Sequence, residues 1–96
     1  MAESLIHDFT MRARDQDGHL YRARATGRER EDGTWIGRIQ FTPLGGGVTR
    51  STMRETTQPN RTALVYWAYG LDEVYLDGAL ERALREPVSL TGASRA

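Results

Sequence analysis

Residues 21–42 read YRARATGREREDGTWIGRIQFT, and their alternation decides the fold. Tyr21, Ala23, Ala25 and Gly27 alternate with Arg22, Arg24, Thr26 and Arg28. Beyond Glu31-Asp32-Gly33, Trp35, Gly37, Ile39 and Phe41 alternate with Ile36, Arg38, Gln40 and Thr42. A period of two marks a strand with one buried and one solvated face. The same residues set the register. A two-residue Asp32-Gly33 turn would put Arg28 opposite Gly37 and Arg24 opposite Phe41, mixing arginines into the apolar set. A three-residue Glu31-Asp32-Gly33 loop, a type I turn with Gly33 in the left-handed position, instead pairs Ala25 with Ile39 and Ala23 with Phe41. It also leaves Thr26 beside Arg38 on the other face. The longer loop is expected.

Upstream, His7, Phe9, Met11 and Ala13 alternate with Asp8, Thr10, Arg12 and Arg14, and Asp15-Gln16-Asp17-Gly18 supplies turn chemistry. Downstream, Pro43-Leu44-Gly45-Gly46-Gly47 reads as a flexible connection into a weaker edge strand, Val48 to Thr56. Its expected faces are Arg50, Thr52 and Arg54 on one side, with Ser51, Met53 and Glu55 on the other.

After Pro59 the period becomes helical. Asn60 is the expected N-cap for a helix burying Ala63, Leu64, Trp67 and Leu71, with Gly70 as its stop at C′. Asp72 then caps a second helix whose stripe is Leu76, Leu80, Ala83 and Leu84, ending before Pro87. The small residues Ala23, Ala25, Gly27 and Gly37 allow a helix to approach the sheet closely. The expected fold is α+β: an antiparallel meander of three to four strands with two C-terminal helices packed on one face. Residues 5–86 form the expected single domain, with residues 1–4 as a flexible N-terminus and 87–96 as a flexible tail.

Composition sets outer bounds. Ninety-six residues suit one core, burying about 60–65% of the extended chain's surface. All 13 basic residues are Arg, and 13 acidic residues bring the formal net charge to zero. The absence of Cys excludes disulfides and thiol chemistry. No apolar run approaches a membrane span and the start lacks a leader-like pattern, so a cytoplasmic location without membrane attachment is expected.

The clearest chemical pattern is electrostatic. In the expected registers the sheet face away from the helices carries Arg12, Arg14, Arg22, Arg24, Arg28, Arg30, Arg38, Arg50 and Arg54, with Asp8 as its acid. Arg donates two parallel hydrogen bonds to phosphate or carboxylate, so the face suits an anionic partner such as nucleic acid. The same residues equally suit a solvated strand face in a protein that uses Arg in place of Lys. Tyr21, Trp35 and Phe41 fall on the helix-facing side, so the arginine face lacks the aromatics on which single-strand readers stack bases.

Other constellations are weaker. Asp72, Glu73, Asp77, Glu81 and Glu86 make the second helix unfit as a DNA recognition helix. Asp15-Gln16-Asp17-Gly18 opens like a calcium loop, but the twelfth position is Thr26 where a Glu is needed. Gly45-Gly46-Gly47 leads into a strand and is no phosphate loop. His7 and His19 have no second ligand at helical spacing. No catalytic residue, metal site or cofactor is expected. Tyr66, Tyr69 and Tyr75 flank the buried stripe as candidates for a partner interface.

Tyr21-Arg22-Ala23-Arg24, Gly27-Arg28-Glu29-Arg30, Asp32-Gly33-Thr34-Trp35, Arg54-Glu55-Thr56-Thr57-Gln58-Pro59-Asn60-Arg61 and Gly78-Ala79-Leu80 together resemble a family of small bacterial proteins with no assigned activity. The resemblance spans about residues 20–85 and transfers no functional residue. In element order alone the chain is similar to the β-β-β-α domains of HicB-type antitoxins, which implies a protein partner. The expected function is a small non-enzymatic module that binds a protein partner or self-associates, with nucleic-acid or polyanion binding as the alternative.

Overall fold

The computed structural model describes residues 3–86. Five strands, β1 (Ser4–Arg14), β2 (Leu20–Glu29), β3 (Trp35–Pro43), β4 (Arg50–Ser51) and β5 (Thr56–Gln58), precede two helices, α1 (Arg61–Tyr69) and α2 (Glu73–Arg85). All strand pairs are antiparallel, in the order β1-β2-β3, with β4 and β5 both on the far side of β3. Both helices pack on one face, giving an α+β slab of 39 × 36 × 17 Å. The expected tail, 87–96, lies outside the described residues.

The β2–β3 hairpin has the predicted register, with Ala25 on Ile39, Ala23 on Phe41 and Thr26 on Arg38. Arg30 and Thr34 close its three-residue loop: the Arg30 N–H donates to the Thr34 carbonyl, and Gly33 has φ +89°. The β1–β2 turn repeats this geometry. Asp15 and His19 close it, Gly18 has φ +86°, and the Gly18 N–H donates to the Asp15 carbonyl. Glycine tolerates that backbone region without a β-carbon clash.

Two expectations need correction. The edge segment is not one strand. Phe41 pairs with Arg50 and Gly37 pairs with Thr56, so two extra residues loop out between β4 and β5. Thr52, 2% exposed, replaces part of the ladder: its hydroxyl accepts the Ile39 N–H while its own N–H donates to the Ile39 carbonyl. The register also turns Arg50 to the helix side, where Phe41 lies fully buried. The second correction concerns Gly70. It has φ −84°, not a left-handed value, and α1 ends through a tightened turn in which Gly70 N–H donates to Trp67 and Leu71 N–H to Ala68.

The N-caps are those expected. The Asn60 carboxamide accepts from Ala63 N–H and the Asp72 carboxylate from Tyr75 N–H. The core joins Phe9, Ala13, Tyr21, Ala23, Ala25, Ile39 and Phe41 from the sheet to Leu76, Leu80 and Ala83 of α2. Ala68 and Ala79 are also buried, beyond the predicted stripes.

Candidate binding face

The sheet surface opposite the helices is covered by no element among the described residues. β2 runs through its centre and points Arg22, Arg24, Thr26 and Arg28 outward, across from Thr42, Gln40, Arg38 and Ile36 of β3. β1 adds Arg12 opposite Arg22 and Arg14 opposite Leu20. Arg30 sits at the hairpin rim, and Arg54 reaches this side from the looped-out segment between β4 and β5. Of the arginines assigned to this face from sequence, the structure gathers all except Arg50. That guanidinium donates to the carbonyls of Leu84 and Glu86, both at 2.9 Å, and so caps the C-terminus of α2.

Two carboxylates engage side chains of β2 and β3 on this face. Asp8 accepts Nη2 and Nε of Arg22, a forked pair, and this hydrogen bonding to Arg22 holds its carboxyl below the usual range. The second acid, Glu3, belongs to a segment expected to be flexible. It accepts the Thr26 hydroxyl at 2.8 Å and lies 3.5 Å from Arg38 Nε, which is buried without a hydrogen bond. Nothing in the alternation pattern signals Glu3, because it precedes the first paired residue. Among the described residues Arg12, Arg14, Arg24, Arg28, Arg30 and Arg54 form no ion pair within 4.0 Å.

The face is not uniformly polar. Ile36, only 9% exposed, floors two adjoining shallow hollows of about 650 and 430 Å³. Arg28, Arg30 and Arg54 wall the first; Arg38, Arg54 and Met53 wall the second. Met53 is 65% exposed at the rim. The result is an apolar floor inside a rim of mixed charge, since Glu29, Glu31 and Asp32 line the first hollow beside those arginines and Glu86 lines the second.

The three tyrosines do not form one patch. Tyr66 and Tyr69 are exposed on α1, and the Tyr69 ring meets His7 edge-on at 4.5 Å. Tyr75 is half-buried against Trp67, and its hydroxyl donates to Glu55. Glu55 also accepts Arg82, tying the edge segment to α2. Burial, with this hydrogen bond to Glu55 adding to it, pushes the Tyr75 hydroxyl up to about 12.

Asp15, Asp17 and His19 bring ligand atoms within 4.8 Å of one another at the β1–β2 turn. The turn itself explains this. Asp15 accepts the N–H groups of Asp17 and His19, lies 3.2 Å from His19 Nδ1, and takes the Tyr21 hydroxyl at 3.0 Å. Among the described residues no helix is long and apolar enough to cross a membrane. No family model, curated protein or solved structure matches the chain.

Proposed function

We propose that this chain is a non-catalytic binding module whose arginine-bearing sheet face docks an acidic protein surface. The carrying observation is the set of six arginines that form no ion pair among the described residues: Arg12, Arg14 and Arg24 along β1 and β2, and Arg28, Arg30 and Arg54 around the Ile36 floor, where Glu29, Glu31 and Asp32 also stand. Arg and Met are enriched at protein interfaces, and an apolar centre inside a polar rim is their usual anatomy. Rim charges of one sign speed encounter with a partner of the other sign and set its orientation.

Nucleic acid is the second reading, favoured by the arginine count. It lacks support from base stacking, because Tyr21 and Phe41 are buried on the helix side. One titration separates the readings. Fluorescence anisotropy compares a labelled polyglutamate peptide, a DNA duplex and a single-stranded RNA between about 50 and about 200 mM salt. The protein-docking reading expects peptide binding that Arg24→Glu and Arg28→Glu abolish. Binding to nucleic acid alone, with affinity falling linearly on a log–log salt plot, overturns it in favour of the second reading. Binding to none of the three leaves a solvated face and overturns both.

A further inference from the structure

We infer that two copies of this chain pair through the outer side of α1, antiparallel about a two-fold axis, with Tyr66 and Tyr69 of each copy at the centre. This surface lies across the slab from the arginine face and goes beyond the reading of that face.

A surface helix ordinarily buries one stripe and sets charged side chains on the opposite one. α1 departs from this. Leu64 and Ala68 are buried, while the residues it exposes beyond Arg61 are Thr62, Tyr66 and Tyr69, none of them charged. Tyr66 is 82% and Tyr69 67% exposed. Spaced by four and then three residues, the three side chains share one stripe. Val74, 80% exposed, extends it. Tyr66 stands two positions after buried Leu64 and Val74 two before buried Leu76, so both point away from the sheet. The edge-on contact with His7 at 4.5 Å holds the Tyr69 ring, so covering that ring costs little further freedom.

The two ends of the stripe select a second copy as its occupant. Arg61 opens α1, with its guanidinium over the Trp35 ring and 3.5 Å from the Leu5 carbonyl. Asp72 and Glu73 follow the other end; Asp72 caps α2, and Glu73 is exposed. Neither Arg61 nor Glu73 forms an ion pair within 4.0 Å among the described residues. A two-fold axis between Tyr66 and Tyr69 sets each against the other residue of the second copy. It also brings Arg61 of one copy to the Glu73 end of the other, twice over. Charges therefore match in an antiparallel pair and oppose each other in a parallel one. A lipid surface also suits exposed tyrosines, but it needs basic flanks where this stripe has Asp72 and Glu73. Tyr66, Tyr69 and Val74 offer about 300–400 Å² per copy, the size of patch that marks an interaction site. The pair is then at the small end of specific interfaces, and the dimer is weak and reversible.

Sedimentation velocity on the full chain tests the proposal. The wild type is expected to move from its 10.8 kDa monomer mass toward twice that mass with rising concentration, and no further. Tyr66→Glu sets like charges close together at the axis and should weaken association at least about tenfold. Arg61→Glu and Glu73→Arg should each weaken it about threefold to tenfold, and both in one chain should restore it. Arg24→Glu, on the opposite face, should leave it unchanged. The residues replaced on the stripe are exposed, and far-UV circular dichroism verifies that every variant folds. A wild-type monomer at every concentration overturns the proposal. So does association that Tyr66→Glu leaves intact, that the double exchange fails to restore, or that Arg24→Glu removes. A monomer that co-sediments with phosphatidylcholine vesicles, and ceases to with Tyr66→Glu, gives the stripe to a lipid surface and also overturns it.

Discussion

Gly27 on β2 and Gly37 on β3 sit directly opposite each other, and together they leave the hole that Leu64 fills. A β-carbon on Gly27 would lie 2.5 Å from one δ-methyl of Leu64, and one on Gly37 would lie 2.6 Å from the other. Leu64 is fully buried, and the same two β-carbons would also meet Ile6 at 3.0 Å and Thr56 at 2.9 Å. Gly27→Ala or Gly37→Ala should therefore cost about 1–3 kcal/mol by overpacking, more than the few tenths to 1 kcal/mol gained by stiffening the unfolded chain. Urea denaturation should show this, and Leu64→Ala added to Gly27→Ala should cost less than the two single effects summed.

Arg50 separates structure from binding among the arginines. Arg50→Met removes both charge-assisted bonds to the end of α2 and should lower stability by about 1–2 kcal/mol in thermal or urea melts. Because its side chain faces the helices, polyglutamate affinity should be unchanged, whereas Arg24→Met should do the reverse. Equal loss of affinity in both variants would contradict the assignment of faces.

Tyr75 sets an alkaline limit. Its hydroxyl is raised from 10.0 to about 12, so the folded state holds that proton more tightly than the unfolded chain. The associated stability is fully present below pH 10.0 and is lost as pH rises through about 12. Tyr21, raised by burial and by its bond to Asp15, adds a contribution of the same sign. Urea midpoints measured at increasing alkaline pH should fall, and Tyr75→Phe should flatten that fall.

The acid side has the opposite sign. Asp8, Asp15 and Asp32 are all held below 3.8: Asp8 by Arg22, Asp32 by the Thr34 hydroxyl and N–H, and Asp15 because its turn hydrogen bonds outweigh its burial. Their stabilisation is present above 3.8 and disappears as pH falls through the lowered values. Asp15→Asn should make the acid-unfolding curve shallower, as read by circular dichroism at decreasing pH.

The β2–β3 register was legible because the wrong loop length put Arg24 onto Phe41, a contradiction visible in the letters alone. The helix starts were legible because Asn60 and Asp72 act within three residues of themselves. The edge segment was not. A connection holding Gly45, Gly46 and Gly47 fixes no register, so nothing local says that Arg50 pairs with Phe41 and turns inward. The loop-out depends on Thr52 bonding Ile39, and on Glu55 finding Tyr75 and Arg82 some 20 and 27 residues away. Of the binding face, the arginine alternation was readable while the Glu3 contact was not, since it joins residues 23 apart through one hydroxyl.

The open edge of β1 is held at its two ends by the helices. Asp77 accepts the outward N–H of Arg14, and Arg61 reaches the Leu5 carbonyl at 3.5 Å. Those guards are made last. A nascent chain emerges with its three long strands complete and the Arg14 end of its longest edge still bare until residue 77 has left the ribosome. The interval of greatest exposure to sticky neighbours is thus written into the gene order of strands before helices. A chain stopped at Gly70 would keep every strand while losing Leu76, Ala79, Leu80 and Ala83 from its core and one guard, and its natural fate is aggregation.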